Sequence, residues 1–391
     1  MISKPSVLLF IDWFTPGYKA GGPTRSMVNL IDRLKNDVDF WVVTRNTDYR
    51  DSIPYPGIQP DIWLLHDGYH IIYLSSPSMR SIRRSIHSFF LSTITSAKAD
   101  ESPLILYLNG IWSFYFSILP LFCIRRKHFR KIIISPRGML SSQTWISSSL
   151  KKKPFLWFAR FIGIYNAVIF HATNEQEKID IQKNISKKTS VEILPNLSST
   201  VIPSLPQKQK HAGEARFISI ARIAPEKNTR FMLEILQEGI TGNLSLELYG
   251  PIYNEAYWNE CRQLMTQLPS NIRVTYHGSL SPDEMSTSTS NCHFLFMPSL
   301  GENYGHSIAE SLQHGLPVLI SDKTPWRNLQ EKNTGWDLPL SNPDAFRAAI
   351  NRCIAMENEE YSLMQKKCLN FAYEISMDKV LIHKYEEFLR P

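Results

Sequence analysis

HFLFMPSLGENYGHSIAESLQHGLPVLIS, residues 293–321, is the stretch whose reading decides the fold. Its apolar start is short and proline-bounded, as a strand buried on both faces reads. A glycine-containing loop, residues 300–305, leads into a helical segment on which Ile308 and Leu312 share a face. Gly315 is placed to end that helix, Pro317 blocks its continuation, and PVLIS supplies the next strand. Strand, loop, helix, strand is the repeating unit of a parallel α/β sheet. Two acids stand in this otherwise neutral stretch. Glu302 sits in the loop at the strand's carboxyl end, and Glu310 sits on the polar side of the helix. A carboxylate accepts two hydroxyls well, which suits a ribose or hexose diol. A loop-capping acid and a solvated helix acid are the plainer alternative.

Working outward, short apolar runs recur at 6–12, 39–44, 70–75, 104–109, 131–136, 167–173 and 191–195, and again at 216–221, 244–250 and 272–278. Amphipathic stretches separate most of them. The polar segment 198–216, with two prolines and a glycine, reads as a linker. The expectation is two doubly wound, Rossmann-like α/β domains, 1–205 and 206–370, followed by a helical tail, 371–391. Ligands of such sheets bind beyond the carboxyl ends of the strands.

Three loops in that position carry chemistry. After the run at 216–221 come Arg222 and, just before the next helix, Lys227; Asn228 is a fitting N-cap. Two cations at a sheet mouth suit a diphosphate, although local pairing of Arg222 or Lys227 with Glu226 is the simpler use. After the first run, Gly21-Gly22-Pro23 precedes a helix, and paired glycines let backbone approach a ligand. No G-x-G-x-x-G and no Walker A sequence occurs, so dehydrogenase and ATPase chemistry find no support. Asp37-Val38-Asp39 spells the D-x-D of metal-dependent transferases, but it precedes its strand and reads as a solvated turn.

Composition narrows the classes. A hydrophobic content of 43% excludes a disordered chain. The net charge of +7 divides into +11 for residues 1–205 and −4 for 206–391, so the first half is expected to face something anionic. Five scattered cysteines without C-x-x-C suggest neither a disulfide framework nor a zinc site. The apolar run at 103–123 is interrupted by Asn109-Gly110 and Pro120 and reads as strand, loop and short helix, not a membrane span. KKKPFLWFARFIG (151–163) and IRRKHFRK (124–131) mix cations with aromatics. That pattern suits an anionic bilayer surface, or a basic helix face over core aromatics; no nucleic-acid motif accompanies it.

Together Gly21-Gly22-Pro23, Arg222 with Glu226-Lys227-Asn228, and Glu302-Asn303-Tyr304-Gly305 with Glu310 and His314-Gly315-Leu316-Pro317-Val318 resemble glycosyltransferase family 4. Ser135-Pro136-Arg137-Gly138 and His171-Ala172-Thr173-Asn174-Glu175 are similar to its bacterial polysaccharide-assembly members. The resemblance implies a GT-B fold, with two Rossmann-like domains facing each other across a cleft, 1–205 binding the acceptor and 206–370 the nucleotide-sugar donor, and the helix within 371–391 crossing back to the first domain. It implies a retaining, metal-independent hexosyltransferase with no cofactor, using a nucleotide-sugar, most simply a UDP-sugar. Glu310 would hold the ribose, and Glu302 the transferred sugar, with backbone N–H groups of Asn303, Tyr304 and Gly305. Arg222 and Lys227 would meet the leaving diphosphate, with Gly21 and Gly22 opposite. Family members often carry a histidine on the acceptor side; here Asn109 and Arg137 stand in that region, and His171 reads as structural. The implied acceptor is a polyprenyl-diphosphate-linked saccharide of O-antigen, capsule or exopolysaccharide synthesis. The implied location is the cytoplasmic face of a bacterial membrane, peripherally attached. A nucleotide-sugar 2-epimerase and a non-catalytic nucleotide-sugar-binding module are the alternatives.

Overall fold

A computed structural model describes residues 4–95, 104–124, 126–141, 149–200 and 208–390, excluding the side chains of 94, 95, 127, 149–153, 282 and 283. The chain divides into two compact units. Unit 1 comprises Met1–Ser199 and Asp378–Pro391, and unit 2 is Thr200–Met377. The divisions thus fall at 199/200 and 377/378 rather than 205/206 and 370/371. The cause of the second shift is a break in the expected helical tail. One helix, Asn358–Ser376, stays with unit 2; Asp378 then accepts the Leu381 N–H at 3.0 Å and starts a new helix, Lys379–Phe388.

Unit 1 is built on eight strands: β1 (Ser6–Ile11), β2 (Asp39–Arg45), β3 (Trp63–His66), β4 (Tyr69–Leu74), β5 (Leu104–Asn109), β6 (Lys131–Ser135), β7 (Ile169–Ala172) and β8 (Ser190–Ile193). Their order is β3-β4-β2-β1-β5-β6-β7-β8, parallel except for the β3–β4 pair. Every residue of β1 is buried. Leu8 and Phe10 enter one apolar layer, while Val7, Leu9 and Ile11 enter the other. Alternate side chains of a strand point to opposite faces, so a sheet covered on both sides needs an unbroken apolar run. The helix Lys379–Phe388 closes the second layer with Tyr385 and Phe388. Lys131 donates to the carbonyls of Phe388, at 3.1 Å, and Arg390, placing a cation at the helix's negative end.

The hairpin strand β3 was not among the expected runs. It turns into β4 through Asp67-Gly68 alone, at φ 44° and 85°, with His66 opposite Tyr69. Unit 2 has β9 (Glu214–Ile220), β10 (Asn243–Tyr249), β11 (Ile272–Tyr276), β12 (Phe294–Met297), β13 (Val318–Ser321) and β14 (Gly335–Leu338), all parallel in the order β11-β10-β9-β12-β13-β14. The unexpected strand here, β14, begins at Gly335 (φ 148°), where a Cβ would lie 2.0 Å from the Val318 carbonyl oxygen.

In both sheets the chain order reverses direction across one strand pair, β1/β5 in unit 1 and β9/β12 in unit 2. Loops leaving the carboxyl ends of such a pair diverge and leave a crevice, where doubly wound sheets take ligands. The candidate span at 103–123 folds as β5, a π-turn (Phe114–Ile118) and a short helix (Leu119–Cys123) over its described residues. No helix among the described residues is long and apolar enough to cross a membrane.

Candidate active site

In unit 2 the loops after β9 and β12 are laced together. The loop after β9 makes one 3-10 turn, Pro225–Lys227, and enters the helix Thr229–Ile235 through Asn228. Asn228 occupies the cap position but not in the expected way. Its backbone is left-handed (φ 61°, ψ 36°), and its amide donates across to the Pro298 carbonyl at 3.1 Å. The Leu300 N–H donates to the Glu226 carbonyl at 2.9 Å. Between these rungs Lys227 Nζ meets Glu302 Oε1 at 2.5 Å, with only 16% and 11% of the two side chains exposed. Sequence reasoning gave these residues separate roles; strand adjacency makes them a pair. A shielded ion pair this close is held by low local dielectric and is broken at cost unless each member finds a new partner.

Arg222 is placed differently. It pairs with Glu226 at 3.2 Å, both side chains 40% exposed, and its guanidinium lies 4.8 Å over the Tyr253 ring. The backbone beneath is tight: at Gly250 (φ 140°) a Cβ would sit 2.0 Å from the Ala221 carbonyl oxygen.

The loop after β12 ends at Gly305 (φ 81°), the N-cap of the helix His306–Gln313, which has no side-chain cap. A helix start without a side-chain cap is a favourable place for an anion or sugar oxygens. Trp326 Nε1 donates to the Tyr304 carbonyl at 2.5 Å, and Ser307 Oγ donates to the Ile220 carbonyl at 2.7 Å, fixing Asn303–Gly305 and the helix start against β9. Ile308, Ala309, Ser311 and Leu312 are buried, leaving Glu310 half-buried on the side of Ser307. The helix ends as expected. Gly315 (φ 66°) donates to the Leu312 carbonyl and Leu316 to that of Ser311, at 3.0 and 2.9 Å.

In unit 1 the glycine loop leads into the helix Gly22–Leu34, whose start is also uncapped. Gly21 (φ 74°) is exposed, with no atom within 4 Å of a would-be Cβ. Asn109 and Arg137 come together at the ends of β5 and β6. Arg137 Nε donates to Asn109 Oδ1 at 2.9 Å, Nη1 to Asn196 Oδ1, and Nη2 to the Tyr107 hydroxyl at 3.1 Å. Asn109 itself is buried, so its amide holds Arg137 in place. Arg137 has φ 53°, and the following Gly138 N–H donates to buried Glu177 at 2.6 Å. Glu177 also accepts from the Thr173 N–H and hydroxyl, at 2.8 and 2.6 Å, which ties the two polysaccharide-type motifs into one support.

His171 is fully buried. Burial, then the Arg137 charge, push its pKa down to about 3, so the ring is neutral. Nε2 donates to the Leu194 carbonyl at 2.9 Å, which leaves Nδ1 to accept from the Tyr107 hydroxyl at 2.6 Å. Tyr385 adds a bond to the Pro195 carbonyl at 3.0 Å.

Asp39 is not a solvated turn residue. It is half-buried and accepts from Trp41 Nε1 at 2.7 Å and Ser6 Oγ at 3.3 Å. No cluster of His, Cys, Asp or Glu fit to hold a metal exists among the described residues.

Residues 202–371 match the family described as Glycosyl transferases group 1, a span lying wholly within unit 2. No curated protein matches the chain. Among solved structures, sucrose-phosphate synthase from Thermosynechococcus elongatus is 16% identical with a TM-score of 0.66, over 99% of this chain and 98% of that one. Anabaena Alr3699/HepE, solved with UDP and glucose, is 13% identical with a TM-score of 0.64, over 98% and 99%. WaaG, a glycosyltransferase involved in lipopolysaccharide biosynthesis, is 11% identical with a TM-score of 0.58, also over 98% and 99%. Two Rossmann-like units and these likenesses define the architecture as GT-B.

Proposed function

We propose that the chain is a retaining, metal-independent hexosyltransferase that moves a sugar from a nucleotide-sugar, most simply a UDP-sugar, to a lipid-linked saccharide in bacterial surface-polysaccharide synthesis. The observation that carries this reading is the shielded Lys227–Glu302 pair at the β9/β12 crevice, beside an uncapped helix start. A donor's diphosphate supplies an anion for Lys227, and its sugar supplies hydroxyls for Glu302, so the ligand replaces both halves of the pair at once. Glu310 then takes the ribose diol. In the transfer, the bond from the sugar's anomeric carbon to the phosphate oxygen breaks and its electron pair goes to the diphosphate. The acceptor oxygen bonds the same carbon from the same face, and its proton passes to the departing phosphate. Lys227 and Arg222 stabilise the charge that builds there.

The fold relative solved with UDP and glucose supports the choice of donor class. The test is thermal stabilisation by UDP-, GDP- and ADP-sugars of the wild type and of Glu310→Ala. Ligand bound only by the folded state raises its melting temperature. One nucleotide series is expected to stabilise the wild type and much less the variant; no shift with any of them at millimolar concentration sinks the donor site.

The location proposed is an anionic membrane surface. Residues 102–174 hold ten Lys and Arg and no Asp or Glu. The helix Ser149–Phe161 exposes Trp157 by 67% and Phe161 by 78%. Lys151, Lys152 and Lys153, on which the expectation of a membrane anchor centred, have side chains outside the described residues. Exposed aromatics on a basic surface suit a lipid interface. Phosphatidylglycerol vesicles should pellet the wild type and release a Trp157→Ala/Phe161→Ala variant; equal pelleting would sink the idea.

A further inference from the structure

The β1/β5 crevice of unit 1 holds a constellation with no role so far. Asp12 directly follows β1. Its Oδ1 accepts three bonds, from Ser113 Oγ at 2.8 Å and from Arg45 Nη2 and Nε at 3.1 and 3.3 Å. Its Oδ2 receives none among the described residues and is not sealed in, since the side chain keeps 15% of its surface. Ser113 cannot swing away, because its oxygen also caps the π-turn by accepting the Phe116 N–H at 3.2 Å. Arg45 is held over the rings of Phe116 and Trp13 at 5.1 and 5.6 Å. Asp12 is thus clamped on one oxygen from two neighbouring strands, with the other left over.

Burial raises the Asp12 pKa, while the Ser113 bond and the Arg45 charge oppose that rise. These bonds use Oδ1 alone, and the Asp12 carbonyl separately accepts the Arg45 N–H at 3.2 Å and the Thr44 hydroxyl at 3.3 Å. Beside it Trp13 is half-buried. Its ring meets Tyr49 edge-on at 4.8 Å, and its carbonyl accepts from buried Thr24 at 2.8 Å, which ties it to the helix behind the Gly21–Gly22 loop. A carboxylate oxygen that accepts no hydrogen bond, next to a half-buried indole, is a pairing that suits a pyranose: polar edge to the acid, C–H face to the ring.

We propose that Asp12, Arg45, Ser113 and Trp13 form a pyranose-binding site at the switch point of unit 1, with Asp12 Oδ2 accepting a hydroxyl of the sugar and Trp13 packing against its apolar face. The sugar is the terminal residue of the acceptor, an assignment that rests on the transferase reading; the site itself does not. Arg45 and Ser113 act as positioning residues, because they reach the sugar only through Asp12.

The test uses the full chain labelled with 5-fluorotryptophan, with the Trp13 resonance assigned by Trp13→Phe. It is titrated with the methyl glycosides of glucose, galactose, mannose, rhamnose and N-acetylglucosamine. At least one glycoside is expected to move the Trp13 fluorine signal saturably. Asp12→Asn should weaken that binding by about tenfold, the scale of one charge-assisted hydrogen bond. Arg45→Lys, which keeps the carboxylate and loses the two-nitrogen clamp, should weaken it by about threefold. Nucleotide-sugar stabilisation, a property of unit 2, should be the same in all three proteins. The proposal is overturned if no glycoside moves the Trp13 signal, or if a folded Asp12→Asn binds within about twofold of the wild type. Should Asp12→Asn not fold, an unchanged Arg45→Lys overturns it equally. Glycoside binding without any nucleotide-sugar effect would sink the transferase reading and leave this site standing.

Discussion

The two switch points use one topology to hold an acid against a cation in two different ways. At β9/β12 in unit 2, residues 75 apart in sequence meet as a cation and an acid, Lys227 and Glu302, each satisfying the other. At β1/β5 in unit 1, Asp12 meets a hydroxyl 101 residues away, Ser113, and a cation, Arg45 at 3.1 Å, both on one carboxylate oxygen. In the first, the pairing is one contact of 2.5 Å, and a ligand that offers both an anion and hydroxyls replaces both halves. In the second, two neighbours share one carboxylate oxygen, so a single neutral hydroxyl can be taken by the other without breaking the pair. Parallel sheets bring distant loops together, and the residue types at the loop ends decide what the crevice takes.

The contrast breaks first at Lys227. Lys227→Ala removes the cation and leaves Glu302 shielded and unpaired, and the barrier should rise by about 3 kcal/mol, lowering kcat on the order of a hundredfold. Nucleoside diphosphate release measures it; a loss under about fivefold would mean the pair is only structural.

Glycines sharpen the comparison next. Gly250→Ala drives a Cβ into the Ala221 carbonyl beneath Arg222 and should cost roughly 2–4 kcal/mol of stability. Gly21→Ala meets no atom and strains only its backbone, held at φ 74° and ψ −135°, a cost of roughly 1–3 kcal/mol. Urea midpoints of the two variants should rank in that order. Equal midpoints would show that the β9 loop yields as easily as the glycine loop.

The most gradual effect is one of pH, and here the units behave alike. Each buries a neutral histidine, His171 or His293, whose pKa burial lowers to about 3 from the ordinary 6.5. Between those values the unfolded chain binds the proton and the folded chain does not, so stability is lost as pH falls below about 6.5. The slope is at most about 1.4 kcal/mol per pH unit for each ring. Urea unfolding at two pH values should show it, and His171→Gln or His293→Gln should each remove one proton's share. A midpoint that does not move with pH would contradict the buried neutral state.

The sequence made the strands visible where both faces are buried, because β1, β5 and β12 had to be continuous apolar runs. β3 and β14 escaped because each is four residues of mixed character, although Asp67-Gly68 is a strong hairpin signal. Glu302, Lys227 and Arg222 stood out as residues after strands. Their partners did not, since pairing depends on β9 lying beside β12, and strand order is not written locally. Asp12 was passed over as the residue that ends an apolar run; its place directly after the first strand was the available sign. Asn228 was located correctly as a cap and misjudged in use, because Pro298 offers its amide a partner from the next strand's loop.

One feature of the chain's path bears on how the protein is made. Unit 2 is inserted in unit 1, whose segment Asp378–Pro391 is translated after all of unit 2. Until Tyr385, Phe388 and Leu389 leave the ribosome, the apolar layer they cover, including Leu194 and Leu197, is open to water. Unit 2 has all its strands before then. The half synthesised first is therefore the half finished last, and a nascent chain stalled near residue 377 exposes a greasy seam on its oldest part for chaperones to hold.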